Sequence, residues 1–189
     1  MITDQDIETT FGAQLSKIID PVLRKKIVET WVEACKEGNK KDIRELEKLP
    51  FTIATNANGI GLIQHVKAAT EGAFALAKIQ KENIPEFPDI QMDIVIAGAL
   101  VNDINKVIVF ELNDNGKYIK KDSSTFPGVE VTRKTGLPNS IVKIVEYECN
   151  GCKGRPGNLE TIFVEHADFI TFDSMAYLNT SSIDPKNIV

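Results

Sequence analysis

The sequence lacks an apolar run that approaches the roughly 18 to 20 residues of a membrane-spanning helix. Its start, MITDQDIETTFG, is polar and acidic, which is not typical of a signal peptide. A basic field is also missing, since 27 Asp and Glu outnumber 22 Lys and Arg and the formal net charge is −5. General binding to nucleic acid or to anionic membranes is therefore excluded. We expect a cytoplasmic protein with a small-molecule partner.

Cysteine is scarce, and the three cysteines form an odd set in a chain without an export signal. We therefore expect no disulfide framework. Cys149 and Cys152 have the spacing of a redox or zinc pair, but a structural zinc needs about four ligands and the sequence has no second pair. We interpret them as free thiols in a loop, with a zinc shared across a dimer as the remote alternative. The sequence does not set the oligomeric state and leaves a homo-oligomer open.

The length of 189 residues, with 42% hydrophobic and 26% charged residues, is typical of one globular domain. We predict a single helical domain over residues 1–189, with an N-terminal extension at 1–20 and a polar tail at 179–189. No internal repeat or low-complexity segment is visible in the sequence.

Proline, glycine and capping residues divide the chain into helical segments. For example, Asp20 and Pro21 are a typical N-cap and first-turn pair, and Asp89 and Asn158 are candidate caps further along. The predicted helices cover residues 13–19, 21–36, 42–48, 62–81, 94–111, 127–135, 138–147 and 159–178. They predict an all-α orthogonal bundle. A turn signal at residues 113–116 allows a short β-hairpin near residues 108–121.

The segment 94–111, IVIAGALVNDINKVIVFE, places polar residues inside an apolar run. On a helix, Asn102, Asp103 and Lys106 share one patch, because residues three or four apart are neighbours. A buried charge costs several kcal/mol, roughly, unless it is paired or bound to a metal. The patch is therefore either a buried Asp103–Lys106 ion pair or part of a functional site.

Three further polar side chains stand on predicted apolar helices. His65 lies on a face of mainly small residues, and Asp168 is a candidate hydrogen-bond partner that could orient its ring. His166 is two residues from Asp168, so the two side chains diverge by about 200° on a helix and cannot readily serve one centre. We interpret His166 as structural.

The order of a lone His, a pair of a polar residue and Asp with a Lys three residues later, and a late Asp resembles the HD superfamily of metal-dependent phosphohydrolases. The similar segments lie between Asp20 and Asp173 and read DPVLRKKIVETW, LPFT, HVKAAT, GALVNDINK, TGLPNSIV and HADF. The resemblance implies an HD-type helical bundle, a hydrolase, and a metal site. It assigns His65, Asp103 and Asp168 as ligands and Lys106 as the trailing Lys.

The sequence departs from the family pattern at three positions. Asn102 replaces the His of the family's His-Asp doublet, and Phe126 replaces a His before Pro. Glu148, with Glu146 as the second choice, stands where a further His is expected. Oxygen ligands favour hard ions, so we expect one Mg²⁺ or Mn²⁺ at most. Asn102 would be a weak ligand or none, and an enzyme without any metal remains open.

Three functions are compatible with these residues. The favoured one is an HD-like hydrolase of a small phosphorylated or otherwise anionic molecule. The second is a metal-independent lyase, hydratase or isomerase, in which a raised pKa of Asp103 and a lowered pKa of Lys106 would supply acid and base together with His65 and Glu148. The third is a non-catalytic protein that binds a ligand or partner. Candidate substrate-binding residues are Lys153, Arg155 and Phe126.

Overall fold

The computed structural model describes residues 1–84, 86–121 and 124–180 and confirms the predicted all-α class. Its elements in those ranges are α1 (Asp4–Leu15), α2 (Pro21–Glu37), α3 (Ile43–Lys48), α4 (Leu62–Asn83), α5 (Met92–Val101), α6 (Ile104–Val109), β1 (Phe110–Leu112), β2 (Tyr118–Lys120), α7 (Pro127–Lys134), α8 (Asn139–Cys149) and α9 (Leu159–Thr180). The predicted hairpin is confirmed as an antiparallel pair, with Phe110 opposite Lys120. Residues 181–189 of the predicted tail lie outside the described residues.

Helix α4 is central to the bundle, because it packs against both α5 and α9 along much of its length. Every residue from Ile94 to Val101 in α5 is buried, which explains the continuous apolar run of that segment. The indole Nε1 of Trp31 on α2 donates to the carbonyl oxygen of Leu100 at 3.0 Å and ties α2 to α5. These helices hold the segment with Asn102 and Asp103 inside the core.

Local capping signals placed several helix starts correctly. The carboxylate of Asp20 accepts from the Val22 amide, and the amide oxygen of Asn158 accepts from the Thr161 amide at 2.9 Å. The predicted cap at Asp89 is wrong, because α5 begins after Gln91 and Asp89 instead pairs with Lys81 at 3.2 Å.

Two helix boundaries also differ from the sequence predictions. The N-terminal helix is not at 13–19 but at Asp4–Leu15, where Thr3 and Asp6 form a capping box and Ile7, Phe11 and Leu15 turn one face into the core. The segment 94–111 is not one helix, because a turn at Asn102 and Asp103 separates α5 from α6. Among the described residues, no helix combines the length and apolar character needed to cross a bilayer.

Candidate metal and active site

The turn between α5 and α6 presents two polar side chains in the centre of the bundle. Asn102 is 2% exposed and Asp103 is 1% exposed. Asp103 leaves the helical path with φ −89° and ψ 5° and is the N-cap residue of α6. The turn aims Asp103 at His65 on α4, and Asn102 at Asp168 on α9.

Helices α4 and α9 each bring one side chain to this turn. His65 Nε2 lies 2.7 Å from Asp168 Oδ1 and 3.2 Å from Asp103 Oδ2. One candidate ligand atom of each of these three residues lies within 4.8 Å of the others. Phe51 stacks on the His65 ring with 4.7 Å between the ring centroids. The predicted pairing of His65 with Asp168 is therefore confirmed, and the buried group could hold a metal ion.

Asn102 completes the polar cluster with one satisfied and one unsatisfied atom. Its Nδ2 donates to Asp168 Oδ1 at 3.0 Å. Its Oδ1 is buried, and within the described part of the chain no donor reaches it. Leaving a buried acceptor unpaired costs about 1–3 kcal/mol, so an unfilled acceptor beside two carboxylates and an imidazole fits a hard cation.

The Asp103 carboxylate is shared between His65 and Lys106, whose ammonium pairs with Asp103 Oδ1. Burial opposes ionisation of Asp103, but the Lys106 charge and the His65 hydrogen bond outweigh it and lower its pKa to about 2. Burial likewise opposes the charge on Lys106, but Asp103 raises the pKa of this ammonium overall. The prediction of a raised pKa for Asp103 and a lowered pKa for Lys106 is therefore wrong. The two side chains lie in contact, and each stabilises the charged form of the other.

The surroundings of His65 favour the charged form of its ring. Burial favours the neutral ring, but hydrogen bonds to Asp103 and Asp168 raise its pKa to about 9. The negative charges of Asp103 and Asp168 are thus neutralised by His65 and Lys106, and a bound cation would neutralise them in the same way.

Glu148, near the end of α8, has a raised pKa, in contrast to the lowered pKa of Asp103. Burial and then the charges of Asp103 and Asp168 raise the pKa of Glu148 to about 7. The Cys152 thiol donates to Glu148 Oε2 at 3.2 Å. Because its pKa lies near neutrality, Glu148 can both take up and release a proton under ordinary conditions.

Two cavities meet at this cluster, and Thr52, Lys106 and Glu148 line both. We name them by their linings. The polar cavity has a volume of about 200 Å³ and is also lined by Ile53, Ala54, Asn102, Asp103, Asn105, Val109, Phe110, Lys120 and Cys149. The aromatic cavity has a volume of about 210 Å³ and is also lined by Phe51, His65, Asp168, Phe169 and Phe172. Together their volume lies within the lower part of the size range of small-molecule sites, about 300–1,000 Å³.

Other predicted site residues lie away from these cavities. Lys153 and Arg155 are exposed in the loop between α8 and α9, and Phe126 is 37% exposed at the start of α7. These three are not part of either cavity lining among the described residues, and their assignment to substrate binding stays a prediction. His166 is exposed beside Phe87, away from Asp168, as the helical geometry indicated.

Sequence reasoning did not select several residues that line the cavities. Phe169 and Phe172 follow Asp168 on α9, and their spacing was a usable signal once Asp168 was a candidate. Lys120 lines the polar cavity because β2 folds back onto β1 in the hairpin. Asn105 lines the same cavity because the chain turns after α5 and continues as the separate helix α6. These two had no local sequence signal.

The chain is similar to a dihydroneopterin 2′,3′-cyclic phosphate phosphodiesterase of Methanocaldococcus jannaschii. The two sequences are 27% identical over 168 residues, covering 80% of this chain. This chain is a distant homologue of that phosphodiesterase. It spans about 64% of the length of this curated relative. No protein-family model matches the chain, and no solved structure matches it.

Proposed function

We propose that this chain is an HD-like, metal-dependent phosphodiesterase that opens a cyclic phosphate ester of a small molecule. The observation that supports it most is the convergence of His65 on α4, Asp103 in the turn after α5, and Asp168 on α9 at the meeting point of two cavities. The distant phosphodiesterase homologue supplies the reaction class. One Mg²⁺ or Mn²⁺ is the proposed cofactor, because the donor set is rich in oxygen.

The chain's own residues fit such an ion. His65 would bind it through Nε2, and Asp103 and Asp168 through carboxylate oxygens, with the unpaired Oδ1 of Asn102 as a weak fourth donor. A divalent ion in this position supplies Lewis-acid chemistry, polarising phosphoryl oxygens and lowering the pKa of water.

Lys106 and Glu148 have separate roles in the proposed reaction. In ring opening, a water oxygen bonds to phosphorus and gives up one proton, the bond from phosphorus to one ring oxygen breaks, and that ring oxygen receives a proton. Lys106 stays charged and faces both cavities, so it can pair with a phosphate oxygen. Glu148 can hold the proton that the departing oxygen needs.

The test is hydrolysis of 2′,3′-cyclic AMP and of dihydroneopterin 2′,3′-cyclic phosphate by protein purified without chelator, with and without Mn²⁺ or Mg²⁺. Changes of outer metal partners cost about 10–100-fold, so loss of a ligand in His65→Ala should lower kcat by more than about 100-fold. The matched control is His166→Ala, on the exposed face of α9, which should stay within about 2-fold. Less than about a tenth of an equivalent of metal, with no gain on adding either ion, would refute the proposal.

The metal-independent alternative has one specific observation in its favour, the pKa of Glu148 near neutrality. In that case Glu148 would act as acid and base without an ion, and Glu148→Gln would abolish turnover. The same assays separate the two functions, because a metal-independent enzyme keeps its full rate after treatment with EDTA. Any turnover that depends on His65 rejects the non-catalytic alternative.

A further inference from the structure

The C-terminal half of α9 places two aromatic rings beside the candidate metal ligands. Phe169 and Phe172 line the aromatic cavity with His65 and Asp168. Their ring centroids are 6.2 Å apart and the rings are inclined by 74°. Both side chains are only partly buried, although they lie beside a buried polar cluster. Aromatic surface left open next to a candidate reaction centre is available to a ligand.

Helical geometry fixes how far these rings lie from the polar cluster. Asp168 and Phe172 are four residues apart and share one face of α9. A group against Phe172 would therefore lie about one helical turn, roughly 5 Å, from the Asp168 carboxylate along the helix. The buried ring of Phe51, already stacked on His65, forms another wall of the same cavity.

The second cavity has a different chemistry. It contains the amide of Asn105 and the ammonium of Lys120, with Lys106 at the boundary of both cavities. Cations and amides suit the anionic and hydroxyl groups of a ligand, whereas the aromatic cavity suits a flat ring. A ligand that spans the junction is thus oriented with its ring towards α9.

We infer that the aromatic cavity binds a planar heteroaromatic head group of the substrate, and that Phe169 and Phe172 select it by stacking. The inference rests on the proposed function only in placing the phosphate of the same molecule at the metal site. The linker between ring and phosphate must be short, about one helical turn. The chemical class is therefore a heteroaromatic ring joined to a phosphate ester by a few bonds.

Calorimetric titration in the presence of Mn²⁺ tests the inference on the full chain. The two probes are adenosine 2′-monophosphate, which has a flat base, and glycerol 2-phosphate, which has none. Quenching of neopterin fluorescence measures the binding of a second type of ring. Base stacking on aromatic side chains typically gives tenfold effects or more, so wild type should bind the adenosine ester at least about 10-fold more tightly. Phe169→Leu and Phe172→Leu should each reduce this preference to below about 3-fold and leave glycerol 2-phosphate affinity unchanged.

The matched control is Tyr177→Leu, which removes a ring that is 65% exposed further along α9 and should keep the full preference. Phe172→Trp should keep it too, and thermal melts confirm that each variant folds. The inference is overturned if wild type prefers neither ring probe, or if both leucine variants retain the preference. Parallel assays of the hydrolysis of 2′,3′-cyclic AMP and of dihydroneopterin 2′,3′-cyclic phosphate separate it from the proposed function. A ring preference without hydrolysis refutes only the proposed function, and hydrolysis without a ring preference refutes only the inference.

Discussion

At the scale of single residues, Asp103 connects the groups of the candidate site. One oxygen faces His65 and the other pairs with Lys106, and the side chain itself is fully buried. The Lys106 side chain is 21% exposed, so its ammonium can also face the cavities. A buried carboxylate is tolerated here because two cationic groups contact it.

Replacing Asp103 by Asn should therefore destabilise the fold as well as abolish turnover. The change leaves Lys106 without its partner, and breaking a buried ion pair costs about 3–5 kcal/mol. Urea denaturation should show this loss in the free energy of unfolding. The matched control is Glu111→Gln, which breaks the exposed Glu111–Lys121 pair at 2.8 Å and should cost less than about 1 kcal/mol.

A double variant distinguishes pairing from general damage. Adding Lys106→Met to Asp103→Asn removes the orphaned charge and should recover part of the lost stability without restoring activity. If the double variant is as unstable as the sum of the two single variants, the ion pair does not explain the burial of Asp103.

The cysteines provide a second prediction at this scale. Burial raises the pKa of the Cys35 and Cys149 thiols to about 12, and burial with the Glu148 charge raises the pKa of Cys152. Since the thiolate is the reactive form, all three should react with Ellman's reagent at pH 8 at least about 10-fold more slowly in the native protein than in urea. Fast modification of Cys149 or Cys152 before unfolding would contradict this and favour the redox interpretation.

At the scale of elements, the junction between α6 and α7 supports the polar cavity. The amide oxygen of Asn105 accepts from the Gly128 amide at 2.9 Å. A Cβ at Gly128 would lie 2.6 Å from the Cα of Asn105, so backbone would have to move. The close approach sets the position of Asn105 in the cavity lining.

Gly128→Ala should accordingly weaken both stability and substrate binding. Overpacking against backbone costs about 1–3 kcal/mol, and the displaced Asn105 should raise KM more than it lowers kcat. Gly12→Ala is the control, because nothing lies within 4 Å of a Cβ there, and it should change stability by less than about 1 kcal/mol. Chemical denaturation and steady-state kinetics measure the two effects. Equal effects of both substitutions would contradict the packing argument.

At the scale of the whole molecule, the candidate site lies where three helices from distant parts of the chain meet. His65 is on α4, Asp103 follows α5, and Asp168 is on α9. A cation bound to all three would link them in the folded state only. Ligands that bind only the folded state stabilise it by mass action.

Adding Mn²⁺ should therefore raise the melting temperature. At about 100 times the dissociation constant the gain is about 2.7 kcal/mol. For a chain of this size that gain corresponds to a shift of roughly 5–10 °C. EDTA should reverse the shift, which calorimetry or fluorescence melting measures. His65→Ala should show no shift, whereas His166→Ala should behave like wild type. A shift of equal size in His65→Ala would place the ion elsewhere.

Local signals in the sequence were sufficient for the helical class, for the caps at Asp20 and Asn158, and for the hairpin turn, because these depend on neighbours within a few residues. The pairing of His65 with Asp168 was also predicted, because both are polar side chains on otherwise apolar helices and a carboxylate can orient an imidazole ring. The break at Asn102 and the ionised state of Asp103 were not predictable in this way. They depend on packing and charges from helices far apart in the chain, and the same is true of the cavity that contains Phe172. The sequence by itself thus determines which residue types the site contains. Their protonation states and the cavities around them are decided only when α4, α5 and α9 pack together.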